Sequence, residues 1–282
     1  MPNTPRVAAI HDLSAFGRCS LTVVAPVLSA MGVQCCPIPT AYLSTHTGGF
    51  ENMVRLDLSE QMEGTIRHWE SLSLAFDGVY TGYLASERQA ELCIRAVERL
   101  KAPGGIAVVD PVLGDGGNLY SACTVELGSA MKELCVHADV ITPNLTEAAF
   151  LLGVDYDSLT GGGAEGLELA RLLSDSGRRS VVLTGVSDGP GRVGAACYDR
   201  TTGETALAMA ERVDGLYHGT GDIFTSVLTG AMVKGVSLAA AVERAARFVS
   251  QCAARTRQQD YPRREGVDFE PLLGCLAEEK GL

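Results

Sequence analysis

The sequence predicts an α/β fold, a mostly parallel β-sheet with helices on both faces. Three observations predict it. Short apolar, β-branched runs alternate with longer segments of helical apolar spacing along the chain, which is the pattern of successive βα units. Polar residues recur just after the runs, as Asp12, Asp110, Asn144 and Thr184. In open parallel sheets, ligands bind at these carboxyl ends. Finally, many of the 32 glycines sit in short clusters rather than in a low-complexity tract, marking tight turns or close backbone approach.

The elements follow in order. Residues 7–10 read as a first buried strand. Residues 21–31 read as a helix ended by Gly32, since glycine suits the residue after a helix. Residues 33–38 form a second strand and 78–83 a third, which ends on Tyr83. Residues 87–100 carry apolar side chains at a spacing near 3.6, a helix. Residues 106–109 are a strand stopped by Asp110-Pro111, and 139–142 another stopped by Pro143-Asn144. A helix over 167–173 leads to a strand over 180–183. Residues 193–198 and 205–210 read as a hairpin. Helices follow over 223–233 and from 238 to about 255. Thr160-Gly161-Gly162-Gly163 is the loosest stretch and reads as a surface loop. With no internal repeat and no long linker, residues 1–282 read as one domain.

Composition narrows the function. Hydrophobic residues make up 46% of the chain and charged residues 20%, enough to bury a large core. The formal net charge of −11 argues against a nucleic-acid partner, which calls for a basic face. The nine cysteines are odd in number and include no C-x-x-C pair, so a reduced, cytoplasmic protein with buried thiols is expected. No apolar stretch reaches the roughly 18 residues of a membrane span, and residues 1–6 do not read as the start of a signal peptide. Neither membrane nor nucleic acid is therefore expected as a partner.

Four segments carry chemistry. His218-Gly219-Thr220-Gly221-Asp222 stands directly before an apolar helical run. The first amides of a helix lack intrahelical acceptors and, with the helix dipole, form an anion site. Gly219 and Gly221 let backbone approach a phosphate. Asp222 is either the helix N-cap or a base that takes a hydroxyl proton as the oxygen attacks phosphorus. The second segment, Asp110-Pro111-Val112-Leu113-Gly114-Asp115, suits Mg²⁺ held partly through water, or a pair of turns. In the third, Thr142-Pro143-Asn144-Leu145-Thr146-Glu147, a capping box over the next helix is favoured over contacts to phosphate and metal. The fourth is Thr184-Gly185, a phosphate contact or a turn. His46 and Thr47 lie in a run of hydroxyls and glycines suited to a pocket wall. A Walker A loop and a Rossmann glycine fingerprint are both absent, which disfavours a nicotinamide-dependent dehydrogenase.

On these motifs and on Ser44-Thr45-His46-Thr47-Gly48, in this order and spacing, the chain resembles the ribokinase-like superfamily from Val7 to about Ala254. Within it the vitamin B6 kinases are most similar. The resemblance implies a three-layer α/β/α ribokinase-like domain, usually homodimeric, that uses ATP and Mg²⁺, often with a monovalent cation such as K⁺. It implies Asp222 as catalytic base with Gly219, Thr220 and Gly221 as the anion hole. Asp110, Asp115, Thr142, Asn144, Glu147 and Thr184 match the nucleotide region, with Asp110 and Glu147 nearest the metal. Asp12, His46, Thr47, Tyr83 and Asp222 match the substrate pocket. Asp12 stands where many vitamin B6 kinases have Ser, which implies altered choice among B6 forms. The alternatives are a hydroxymethylpyrimidine kinase of thiamine synthesis, sharing the fold and the Gly-x-Gly-Asp motif, and a non-catalytic ligand-binding relative.

Overall fold

The computed structural model describes residues 4–120, 123–215, 217–260 and 262–277. Its centre is a nine-stranded sheet. In chain order the strands are β1 (Arg6–Ser14), β2 (Gln34–Leu43), β3 (Arg55–Asp57), β4 (Phe76–Thr81) and β5 (Lys101–Val109). After a small separate hairpin of β6 (Gly114–Asp115) and β7 (Asn118–Leu119) come β8 (Val140–Ile141), β9 (Ser180–Ser187), β10 (Arg192–Tyr198) and β11 (Thr205–Glu211). The spatial order is β11-β10-β9-β8-β5-β4-β1-β2-β3. Pairing is parallel from β2 through β9. It is antiparallel only at the ends, where β3 pairs β2 and the predicted hairpin β10–β11 extends β9.

The helices are α1 (Leu21–Ala30), α2 (Ser59–Ser71), α3 (Glu87–Leu100), α4 (Val125–Val136), α5 (Leu145–Leu152), α6 (Gly163–Leu173), α7 (Thr220–Met232), α8 (Leu238–Arg257) and α9 (Gly274–Ala277). Helices α1, α7 and α8 cover one face through Val24, Leu28, Val227 and Val242. Helices α2, α3, α4 and α6 cover the other through Ile66, Val97, Leu134 and Leu173. The result is the expected three-layer sandwich, with β1 residues Val7 to Ile10 inaccessible between two apolar layers.

Local chemistry explains several boundaries. In α3 the side chain of Ser86 accepts from the N–H of Gln89, an N-cap, and the buried Ala90, Cys93, Val97 and Leu100 follow helical spacing. Strand β2 runs five residues past the expected Ile38, through Pro39. Proline survives there because β3 pairs only with residues 41–43, which leaves that flank of β2 an edge. Helices α2 and α4 were not expected. The polar surface of α2 and Gly128 within α4 mask their periodicity, and tertiary packing against α3 supplies what propensity lacks. The stretch expected to be loosest is tied down. The Glu165 carboxylate accepts from the N–H groups of Thr160 and Gly161, each at 2.8 Å, and Gly162 bridges to Ser187.

All nine cysteines are free thiols. Burial pushes the Cys35 thiol up to about 12 and also raises the neighbouring Cys36, which favours the protonated thiol at both. Among the described residues no helix is long and apolar enough to cross a membrane.

Candidate active site

The anion site is built at the start of α7. Gly219 is its N-cap, with φ 82°. A Cβ there would run into the carbonyl oxygen of Arg18, so both backbone and space require glycine. Gly221, by contrast, faces open space: a Cβ added to it would meet no protein atom within 4 Å. The protein's own packing leaves that room, at the end of a helix whose first amides point outward.

Asp222 is the third residue of α7 and does not cap it. Its Oδ2 instead accepts the backbone N–H of Ser20 at 2.9 Å. Ser20 holds an uncommon conformation for a side-chain-bearing residue, φ 54° and ψ −134°, of the kind that persists where surroundings over-determine it. Its hydroxyl donates to Asp12 Oδ1, while Ser14 Oγ donates to Asp12 Oδ2 at 2.9 Å. One serine thus links the two carboxylates, its N–H to Asp222 and its O–H to Asp12. Burial pushes Asp222 up to about 7, opposed by the Ser20 N–H and aided by the Asp12 charge. Burial also raises Asp12, against its two serine donors. Asp12 lies inside β1 rather than past its end. The strand continues to Ser14 across a register shift between His11 and Leu13, and that irregularity re-aims it.

The next carboxylates stand beyond the ends of β5 and β8. Asn144 and Glu147 form the expected capping box on α5. Glu147 Oε2 accepts the Asn144 N–H and Oε1 the Leu113 N–H, both at 2.9 Å, while Asn144 Nδ2 donates to the Gly114 carbonyl at 2.7 Å. The box therefore also pins the loop after Asp110. Burial pushes Asp110 well above the usual carboxylate range, reinforced by the charges of Glu147 and Asp222. Burial raises Glu147 to about 7 against its N–H donors. Thr225 of α7 joins the two sides, donating to Thr142 Oγ1 at 3.2 Å and reaching Asp110 Oδ2 at 3.5 Å.

His46 is locked. Its Nδ1 accepts the Gly48 N–H at 3.0 Å, so Nε2 carries the proton and donates to the Arg264 carbonyl at 2.6 Å. Burial lowers its pKa and keeps it neutral. The ring is left as a wall, edge-on to Phe50 at 5.0 Å and tilted against His218 at 5.0 Å.

These parts surround one cavity of about 700 Å³, the size of a small-molecule site. Asp12, His46, Thr47 and Tyr83 line it beside Gly219, Thr220, Gly221 and Asp222. Asp110, Asp115, Thr142, Asn144, Glu147 and Thr184 line it too. Asp115 stands on β6, where its Oδ1 accepts from Gly116. Ser14, Cys19, Ser20, Tyr120 and His218, which the sequence does not single out as site residues, also line the cavity. Ser20 had a local signal, because it directly precedes a recognisable helix. Burial and the Asp222 and Asp12 charges keep the Cys19 thiol protonated. Among the described residues no cluster of three His, Cys, Asp or Glu could hold a metal by protein ligands alone.

Known proteins resemble this chain over most of its length. A family model described as phosphomethylpyrimidine kinase matches residues 26–263, leaving out β1, the turn at residues 17–20 and everything after Arg263. A pyridoxine/pyridoxal/pyridoxamine kinase of Bordetella avium is 32% identical over 269 residues, 90% of this chain and 86% of that protein. A crystal structure, with pyridoxal, of a candidate phosphomethylpyrimidine kinase from Bacteroides thetaiotaomicron superposes with a TM-score of 0.91 at 41% identity, covering 97% of this chain and 96% of that one. Pyridoxal kinase from Leishmania donovani, in complex with ADP and pyridoxamine, gives a TM-score of 0.82 at 26% identity over 97% of this chain and 96% of that one. A match over most of the length, in sequence and in fold, settles the lineage: this chain belongs to the phosphomethylpyrimidine kinase family of ribokinase-like enzymes, among whose members are the pyridoxal kinases.

Proposed function

We propose that the protein transfers the γ-phosphoryl group of ATP to the 5′-hydroxymethyl group of a B6 vitamer, pyridoxal, pyridoxine or pyridoxamine. One observation carries the reading. A buried carboxylate, released from helix capping, stands on the first turn of α7 beside the open space over Gly221. Phosphoryl transfer needs mostly positioning and charge stabilisation, and this arrangement offers both. Asp222, raised to about 7, accepts the proton of the attacking hydroxyl near neutral pH. The amides of residues 219–221 face the charge that builds on the transferred group. Asp12, held by Ser14 and Ser20, accepts from a donor on the pyridine ring. His46 supplies a flat wall. The relatives named for pyridoxal, pyridoxine and pyridoxamine support this acceptor class.

We assign the nucleotide to the side of Asp110, Thr142, Asn144, Glu147 and Thr184; the ADP complex of the Leishmania protein supports nucleotide binding as such. Mg²⁺ fits there. Asp110 and Glu147 oppose each other's ionisation, a conflict that a nearby cation relieves. Both Glu147 oxygens already accept N–H groups, so it would hold the ion through water. When bound, the metal would neutralise phosphate charge. A monovalent cation and a homodimer complete the reading. A cytoplasmic setting suits nine free thiols.

Steady-state kinetics with Mg-ATP and each of pyridoxal, pyridoxine, pyridoxamine and hydroxymethylpyrimidine test it. The highest kcat/KM is expected for a B6 vitamer. A clear preference for the pyrimidine transfers the enzyme to thiamine synthesis, and no turnover with any of the four leaves a binding protein.

A further inference from the structure

We propose that residues 263–270 are a positioning strap for the acceptor half of the cavity, hooked by Arg18, so that this segment sets affinity for the alcohol and leaves affinity for the nucleotide alone. The ligand identities rest on the function proposed above; the strap itself rests on geometry.

The strap crosses three loops, and each crossing is bonded. At the turn of residues 17–20, the Arg18 N–H donates to the Glu265 carbonyl at 3.0 Å. Arg18 Nε reaches both Glu270 carboxylate oxygens at 2.7 and 2.8 Å, and Nη2 lies 3.5 Å from Asp268. At the loop of residues 46–50, His46 donates to the Arg264 carbonyl, and the Arg264 guanidinium sits 5.1 Å over the Phe50 ring. At the loop of residues 214–219, Arg263 donates to the Tyr217 hydroxyl at 2.8 Å and the Asp214 carbonyl at 3.3 Å. The Val267 N–H donates to the His218 carbonyl at 3.2 Å.

Glycines keep the crossings tight. A Cβ on Gly266, at φ 91°, would press within 3.0 Å of the Arg18 backbone, and one on Gly215 would strike the Arg263 guanidinium. Gly17, at φ 92°, gives its space to the His46 ring.

The consequence runs through the loops. Among the described residues, none from 263 to 270 lines the cavity, but the three loops deliver Ser20, His46 and His218 to it. Ser20 in turn holds Asp222 and Asp12. Asp110, Asn144 and Glu147 take their hydrogen bonds from other segments. Loosening the strap therefore moves the acceptor wall first.

Arg18→Ala tests the idea, because that side chain is partly exposed and belongs to neither apolar core cluster. Arg95→Ala, which breaks a surface bridge to Glu70, serves as control. The expected result is a rise in KM for the alcohol of roughly tenfold, with KM for ATP within about twofold of wild type, partial recovery in Arg18→Lys, and no such split in the control. Hydrogen–deuterium exchange without ligand gives a second reading. Residues 46–48 and 217–220 should exchange faster in Arg18→Ala, and Glu270→Gln should show the same in weaker form. Equal shifts of both KM values, or unchanged exchange in these loops, overturn the strap. Absence of turnover in the wild-type enzyme instead sinks the proposed reaction, and the exchange experiment still decides the strap.

Discussion

The two halves of the cavity are assembled over very different distances along the chain. On the nucleotide side, Asn144 bonds Gly114 across 30 positions and Glu147 bonds Leu113 across 34. On the acceptor side, Ser20 bonds Asp222 across 202 positions, His46 reaches Arg264 across 218, and Arg18 reaches Glu270 across 252. Closure entropy grows only by ~0.6 kcal/mol per doubling of loop length, so the longer distances are not prohibitive. What differs is dependence. The nucleotide side draws mainly on neighbouring strands β5 and β8 and a capping box, with a longer reach from Thr225 of α7. The acceptor side exists only once β1, α7 and the C-terminal segment have met. Substrate choice should therefore respond to remote changes more readily than nucleotide binding does.

The largest expected effect falls where the halves meet. Asp222→Asn keeps an acceptor for the Ser20 N–H but no base, so turnover should fall roughly 10²–10⁴-fold. Calorimetry should find ATP and vitamer still bound. Near-normal turnover would remove Asp222 from the chemistry altogether.

Gly221→Ala separates ligand space from protein packing. No protein atom opposes the new methyl group, so the melting temperature should hold or rise, by about 0.4–1 kcal/mol of stability. Phosphoryl transfer should nevertheless drop by about 10²–10³-fold, the scale of a lost charge-stabilising contact. Earlier melting would show that the fold itself uses that space.

A smaller effect tests the Asp12–Ser20–Asp222 link. Protonated Asp222 cannot accept a proton, so kcat/KM should fall as pH drops below about 7. The Asp12 charge helps hold Asp222 up, so Asp12→Asn should move this acid limb to lower pH. A limb that stays in place would mean that the two carboxylates do not sense each other.

Asp12→Ser should have the smallest effect, a change of about an order of magnitude or less in the ratios of kcat/KM among the three vitamers, with KM for ATP unchanged. Constant ratios would confine Asp12 to holding Ser14 and Ser20.

Legibility followed the same divide. The Asn144–Glu147 box could be read from spacing alone, because a cap is a contact within one turn. Strands β4, β5, β8 and β9 were readable because each carries a short buried run, whereas β6 and β7, two short and mostly exposed residue pairs, left no such trace. Helix α2 was not, since polar side chains hide its one apolar stripe, Met62 and Ile66. Whether Asp222 caps α7 was undecidable from sequence. Gly219 takes the cap position, and the competing partner of Asp222, Ser20, lies at the other end of the chain. His46 lines the cavity, and its hydrogen bond to Arg264 had no local trace in the sequence.

Order along the chain was enough to predict a mostly parallel α/β sheet, the strand ends where polar residues gather, and the residue types that phosphoryl transfer would use. Hydrophobic periodicity and turn chemistry are local, and a single chain records them directly. Which carboxylate is released from helix capping, which serine bridges two acids and which segment crosses the loops at residues 17–20 and 46–50 were decided by packing. Those roles depend on partners more than 200 residues away and on burial that raises Asp222 to about 7, and neither exists before the layers close.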